Sequence, residues 1–131
     1  MSETTEIFTL PVRVYYEDTD MAGIVYYANY LRYIERGRSE WVRAVGLDQN
    51  HMKDVEGIVF AVRRVEADYI SPAKFDDVLT IETEMVSKTA ARLILDQRVL
   101  REGGELFHAR VTLVALTPDG RPTRLPKGAF D

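Results

Sequence analysis

The chain has 131 residues, 46% of them hydrophobic and 29% charged, with a net charge of −4. That length suits one domain, 1–131, with a real core, and is too short for two. The mild acidity argues against a nucleic-acid surface, which needs a basic stripe, and the absence of cysteine removes disulfides, thiolate metal sites and a Cys nucleophile. Met1 to Glu6 is polar and acidic, unlike a secretory signal. No apolar run approaches the roughly 18 residues of a membrane span. The expectation is a soluble, cytoplasmic protein.

Pro11 to Tyr16 alternates weakly and predicts a strand. From Ala28 to about Val45 the period becomes helical. Tyr27, Tyr30, Ile34, Gly37, Trp41 and Val45 recur at steps of three and four, and Gly46 stands at the expected stop. Gly37 falls on that stripe, where a missing side chain lets a helix lie close to a sheet; the alternative is an interior glycine tolerated at about 1 kcal/mol against alanine. Asp48 to His51 reads as a polar surface loop.

Four strands follow. Apolar parity over Ile58 to Ile70 switches at Arg63-Arg64, the mark of a bulge. Ser71 to Asp77 is turn-rich, and Leu79, Ile81, Thr83 and Met85 alternate with polar residues as in a half-buried antiparallel strand. A further strand covers about Arg92 to Leu100, Arg101 to Glu105 is a hairpin turn, and the last strand runs from Leu106 to Thr117. One long helix and one mostly antiparallel five-stranded sheet must cover each other, which gives an α+β fold. The edges of such a sheet need covering, and pairing two sheets in a dimer does so.

The chemistry is approached by elimination. Ser2, Ser39, Ser71 and Ser87 lie in no Gly-x-Ser-x-Gly elbow. His51 and His108 are far apart, His108 inside a strand where histidine is usually structural, and without cysteine they make a poor metal site. No phosphate-binding glycine loop is present. Carboxylates remain. Tyr16 to Tyr30 holds Glu17, Asp18 and Asp20, then Gly23, then Tyr26, Tyr27 and Tyr30, at the mouth of the long helix. A carboxylate acts as general base or nucleophile, and the first free N–H groups of a helix stabilise an oxyanion. Acids before a helix are equally common as turn formers and caps, so the residues alone leave both readings open.

Val12 to Asp20, with Gly23-Ile24-Val25-Tyr26-Tyr27-Ala28-Asn29-Tyr30, closely resembles the signature of the hotdog-fold acyl-CoA thioesterases, in particular the YbgC-like (Tol-Pal-associated) branch and the 4-hydroxybenzoyl-CoA thioesterases. The likeness continues through Tyr33 to Glu40 and Ala67 to Leu79. It implies a hotdog fold, with sheets paired in a homodimer and dimers in a homotetramer, each active site lying at the dimer interface. It implies hydrolysis of acyl-CoA to free acid and CoA without metal or cofactor. Asp20 matches the catalytic acid, with Gly23 beside it, and the backbone N–H of Tyr27 matches the amide that polarises the acyl carbonyl. Asp18 fits a structural or orienting acid and Glu17 a strand residue. Arg63, Arg64, Lys88 and Arg92 are the candidates for the coenzyme A phosphates, although exposed basic residues are unremarkable on any surface.

Tyr26, Tyr27, Tyr30 and Tyr33 line an acyl pocket or simply pack; a tyrosine stripe more often packs. Two rival functions stand beside hydrolysis. One is a non-catalytic acyl-binding or scaffold protein acting with acyl carrier protein or a cell-envelope complex. The other, a dehydratase on the same fold, needs a histidine in the helix-start loop, and Met1 to Asn50 contains none.

Overall fold

The computed structural model describes residues 6–130; the acidic stretch 1–5 read above lies outside them. Strand β1 (Phe8–Arg13) leads through a loop to helix α1 (Asn29–Ala44). A short helix α2 (Gln49–His51) continues into a π-helical turn (Met52–Glu56), and β2 (Val59–Tyr69), β3 (Val78–Lys88), β4 (Arg92–Arg101) and β5 (Gly104–Leu116) complete the order. All five strands form one antiparallel sheet in the order β1-β3-β4-β5-β2.

Three expectations change. β1 begins earlier, at Phe8, and stops at Arg13, because Asp18 Oδ2 accepts the Tyr15 N–H at 2.8 Å and winds the chain into a 3-10 turn, Tyr16–Asp18. Glu17 therefore lies in that turn and not in a strand. The long helix is not the only one: the Asp48 side chain accepts the N–H groups of Asn50 and His51, which caps a helical start where a loop is expected. The bulge appears where the parity switches, as a register shift between Val62 and Arg64.

Alternation sorts the sheet into two faces. Leu79, Ile81, Leu93, Leu95, Val99, Phe107, Ala109, Val111 and Leu113 face α1 and are buried, each large side chain contributing about 1.5–3 kcal/mol. On the other face charges pair across strands: Arg98 with Glu82 at 2.7 Å and Glu84 at 3.1 Å, and Arg110 with Asp96 at 2.9 Å. From α1, Tyr30, Tyr33, Ile34, Gly37, Trp41 and Val42 are buried, whereas Tyr27 and Val45, also on the periodic stripe, lie beyond the helix ends and are exposed.

Gly37 is a close approach. A Cβ there would stand 2.7 Å from Ile81 Cγ2 and 3.2 Å from Thr83 Oγ1. Beside it Gln97, fully buried, donates through Nε2 to the Ile34 carbonyl and to Thr83 Oγ1, both at 2.8 Å, and accepts from Arg38 at 3.3 Å. The buried amide is thus satisfied. The far side of the sheet is barer. β2 is an edge, and Val62, Val65 and Tyr69, on the face that α1 shields elsewhere, remain exposed.

Candidate functional site

The loop between β1 and α1 is held by backbone bonds at each step. Val14 exchanges hydrogen bonds with the segment after β2: its N–H donates to Asp77 O and its carbonyl accepts from Asp76, both at 2.9 Å. After the 3-10 turn the chain folds into a small hairpin. The Tyr26 N–H donates to Asp18 O and the Asp20 N–H to Ile24 O, both at 2.9 Å, with Thr19 and Val25 bridged between them. The tip closes when Gly23 N–H donates to Asp20 O at 3.0 Å and Ala22 N–H to Asp20 Oδ1 at 2.9 Å. Gly23 has φ +81° with open space where a Cβ would stand, so left-handed backbone, not room, requires glycine here. The second arm is tied outward as Val25 N–H donates to Ala73 O at 2.9 Å.

The three acids therefore have different fates. Asp18 spends its carboxylate on the Tyr15 N–H and its carbonyl on the hairpin. Glu17 points to solvent. Asp20 is exposed at the tip, with Oδ1 engaged by Ala22 and Oδ2 in no hydrogen bond among the described residues. At the other end of the hairpin, Asn29 N–H donates to Tyr26 O at 2.8 Å. The N–H groups of Tyr27 and Ala28 have no acceptor among the described residues. They are orphan donors at a helix N-terminus, where the dipole favours negative charge.

The tyrosines divide. Tyr26 and Tyr27 lie at the mouth, ring centroids 4.9 Å apart, and Tyr27 is 62% exposed. Its carbonyl accepts the Tyr69 hydroxyl at 3.1 Å. Tyr30, expected among the substrate contacts, is 3% exposed, stacked on Phe107 at 5.1 Å, and its hydroxyl accepts the Ala73 N–H at 2.9 Å. It is a wall of the core that holds the 71–74 segment to the helix. Burial pushes its phenol up. Tyr33 is deeper still; its hydroxyl makes no hydrogen bond among the described residues, and burial first, then the neighbouring Asp18 carboxyl, pushes it well above the usual range.

Asp77 anchors the floor of the loop. Its carboxylate accepts the Lys74 N–H at 2.8 Å and an Arg101 N–H at 2.7 Å. Burial alone would push it up; the Lys74 N–H and the Arg101 guanidinium outweigh that and hold it below the usual range. Sequence reasoning missed Asp77, Arg101, Tyr69 and Asn29 as parts of this scaffold, because each bond spans loops that no periodicity connects.

The expected phosphate contacts lie elsewhere. Arg63 and Arg64 sit at the bulge of β2, Arg64 paired with Glu66 at 3.2 Å. Lys88 closes β3 and donates to Ala129 O at 3.1 Å, and Arg92 opens β4. β3 starts beside Asp77, so ten residues at about 3.3 Å each put Lys88 roughly 33 Å from the acidic loop. Within one chain these bases do not meet Asp20. The C-terminal segment folds over the turn between β3 and β4, with Leu125 N–H donating to Ala90 O at 2.8 Å, and adds Arg124 and Lys127 to a cavity lined by Lys88. Among the described residues no group of three or more His, Asp or Glu is placed to hold a metal, and none of the helices is long and apolar enough to cross a membrane. His108 lies in β5 on the charged face, 3.8 Å from Asp96, opposite the face on which Phe107 stacks with Tyr30.

Residues 14–128 match the family described as the thioesterase-like superfamily. The chain is 39% identical over 125 residues to the acyl-CoA thioester hydrolase YbgC of Escherichia coli O6:H1, covering 94% of this chain and 92% of that protein. It is also 39% identical to the acyl-CoA thioesterase YbgC of Haemophilus influenzae over 92% of this chain and 89% of the relative. Among solved structures it superposes on one named a probable thioesterase from Bartonella henselae with a TM-score of 0.89 and 37% identity, over 92% of this chain and all of that one. A 4-hydroxybenzoyl CoA thioesterase mutant complexed with 4-hydroxybenzoyl CoA superposes with a TM-score of 0.85 and 27% identity, over 92% and 94% of the two chains. The chain belongs to the thioesterase-like superfamily, as a hotdog-fold, YbgC-like member.

Proposed function

We propose that this protein is an acyl-CoA thioester hydrolase whose chemistry is carried by Asp20 and the Tyr27 amide. The observation that carries the reading is one hairpin with an unspent carboxylate oxygen at its tip and unspent N–H groups where it enters α1. The thioester carbonyl accepts the Tyr27 N–H, which stabilises the oxyanion as it forms. Asp20 then either takes a proton from the attacking water or attacks the carbonyl carbon itself. Where water attacks, the C–S bond breaks and the water oxygen joins the free acid; where Asp20 attacks, the C–S bond breaks to leave an aspartyl–acyl anhydride, which a water then hydrolyses to the free acid and the Asp20 carboxylate. In both routes the leaving thiolate gains a proton. Gly23 shapes the tip that presents Asp20, and Tyr26 and Tyr27 line the entrance.

The reading includes a homodimer, with homotetramers assembled from it, acting in the cytoplasm on acyl-CoA or on an acyl group carried by acyl carrier protein. The bare edge supports it. Two β2 edges paired antiparallel about a two-fold would continue the sheet and cover Val62, Val65 and Tyr69. The Tyr69 end of β2 lies beside Tyr27, and its Val59 end lies beside β5 where Arg92 joins. Antiparallel pairing therefore sets the partner's Lys88–Arg92 end toward this chain's acidic loop, as the phosphates of a bound coenzyme A require. The test is thiol release from short, long and aromatic acyl-CoAs. Asp20→Asn keeps the volume and removes the charge; turnover should fall on the order of 10²–10⁴-fold with an unchanged melting temperature. Parent-level turnover in that variant sinks the assignment.

A further inference from the structure

We infer that Asn29 is the positioning residue of this site, the clamp that fixes the Asp20 arm of the hairpin against the Tyr27 amide; the inference rests on the reaction proposed above. Asn29 opens α1 and is 8% exposed. Ala28 holds the N-cap position of α1, so the Asn29 side chain does not take the accepting role of a capping asparagine. It donates instead: Nδ2 gives a hydrogen bond to Asp18 O at 2.9 Å. The group it faces is a carbonyl, so the amide must present its NH₂ end. The same carbonyl accepts the Tyr26 N–H at 2.9 Å, and the Asn29 backbone N–H donates to Tyr26 O at 2.8 Å. Asp18, Tyr26 and Asn29 thus close a ring of three hydrogen bonds in which each residue takes part in two.

The ring has two consequences at the reacting groups. A trans peptide directs its C=O and N–H in opposite directions. Holding Tyr26 O against Asn29 therefore aims the Tyr27 N–H away from the helix, into the mouth. Holding Asp18 O fixes the strand arm whose next residue but one is Asp20. The Tyr69 hydroxyl fixes the following carbonyl, Tyr27 O, at 3.1 Å, so both peptides flanking Tyr27 are restrained. Asn29 touches no reacting atom; it sets the spacing between the two groups that do.

The test compares thiol release by the parent, Asn29→Ala and Asn29→Asp. Asn29→Ala should lower kcat by about 10–100-fold, the scale of a small misplacement, with KM changed less than kcat. Asn29→Asp keeps the size but turns a carboxylate toward Asp18 O, so its loss at pH 8 should exceed that of alanine. Lowering the pH toward 4, where an aspartic acid takes up its proton, returns a proton that can be donated, and its rate relative to the parent should rise. A flat ratio across that range, or Asn29→Ala turning over at the parent kcat, overturns the inference; a purely structural role would lower the melting temperature without that pH signature. If the parent itself releases no thiol, the reaction has been misread, and the clamp is then judged by NMR: Asn29 side-chain NH₂ protection and a pH-dependent Tyr27 amide shift in Asn29→Asp support it, and unprotected NH₂ protons overturn it.

Discussion

The middle of α1 and its N-terminal end are built on opposite terms. In the middle, Gly37 lies against β3 with no room for a methyl group, and Gln97 has both ends of its amide engaged. At the end, Gly23 has open space where a Cβ would stand, and among the described residues Asp20 keeps one oxygen unpaired and two N–H groups lack acceptors. Satisfied groups stabilise and unsatisfied ones are available to a substrate. Changes in the middle should therefore cost stability and spare chemistry; changes at the end should do the reverse.

The sharpest way to break that contrast is at the tip. Asp20→Asn should lose activity by the factor given above while melting like the parent. The paired-edge reading adds a second readout. Mixing Asp20→Asn chains with chains altered at Lys88 and Arg92 should restore activity, because each heterodimer has one site with Asp20 from one chain and both bases from the other. No recovery on subunit exchange would refute the shared site. In the middle, Gly37→Ala should destabilise by about 1–3 kcal/mol, since its Cβ meets Ile81 at 2.7 Å, with thiol release per folded molecule unchanged. Thermal melts beside active-site titration separate the two.

Smaller effects probe the floor and the core below the loop. The Asp77 carboxyl is held below its usual range in the folded state, so its contribution is present above the unfolded value of about 3.9 and is lost as pH falls below that through the folded value. Asp77→Asn should thus destabilise by about 1 kcal/mol at pH 7, and the difference from the parent should shrink below about pH 4 in acid-denaturation melts. Tyr33→Phe removes a buried hydroxyl with no hydrogen-bond partner among the described residues. It should change stability by no more than about 0.5 kcal/mol, or raise it; a larger loss in chemical denaturation would mean that the hydroxyl holds Asp18 after all.

Element order and face assignment were legible in the sequence because they follow local periods: 3.6 over α1 and two over the strands, down to the bulge at Arg63-Arg64. The ends of elements were less so. β1 stops at Arg13 because one carboxylate, Asp18, caps the following turn, and α2 forms because Asp48 caps it. Tyr27 and Tyr30 share a helical stripe in the sequence. One stands in solvent and the other is sealed under the 71–74 segment, since the helix begins between them.

By itself the sequence determined the α+β class, the absence of cysteine chemistry, and the acidic-aromatic segment with its three carboxylates, because composition and local pattern are properties of neighbouring residues; Asp20 and Tyr27 were singled out within it by the family resemblance. Only the tertiary structure decided that Gly37 is required by a strand 44 positions on, that Gln97 is a satisfied core residue, that Asn29 donates across the loop to Asp18, and that the basic residues lie at the far end of the sheet. Those are contacts between distant parts of the chain. Their partners are chosen by packing and register, which no local period records.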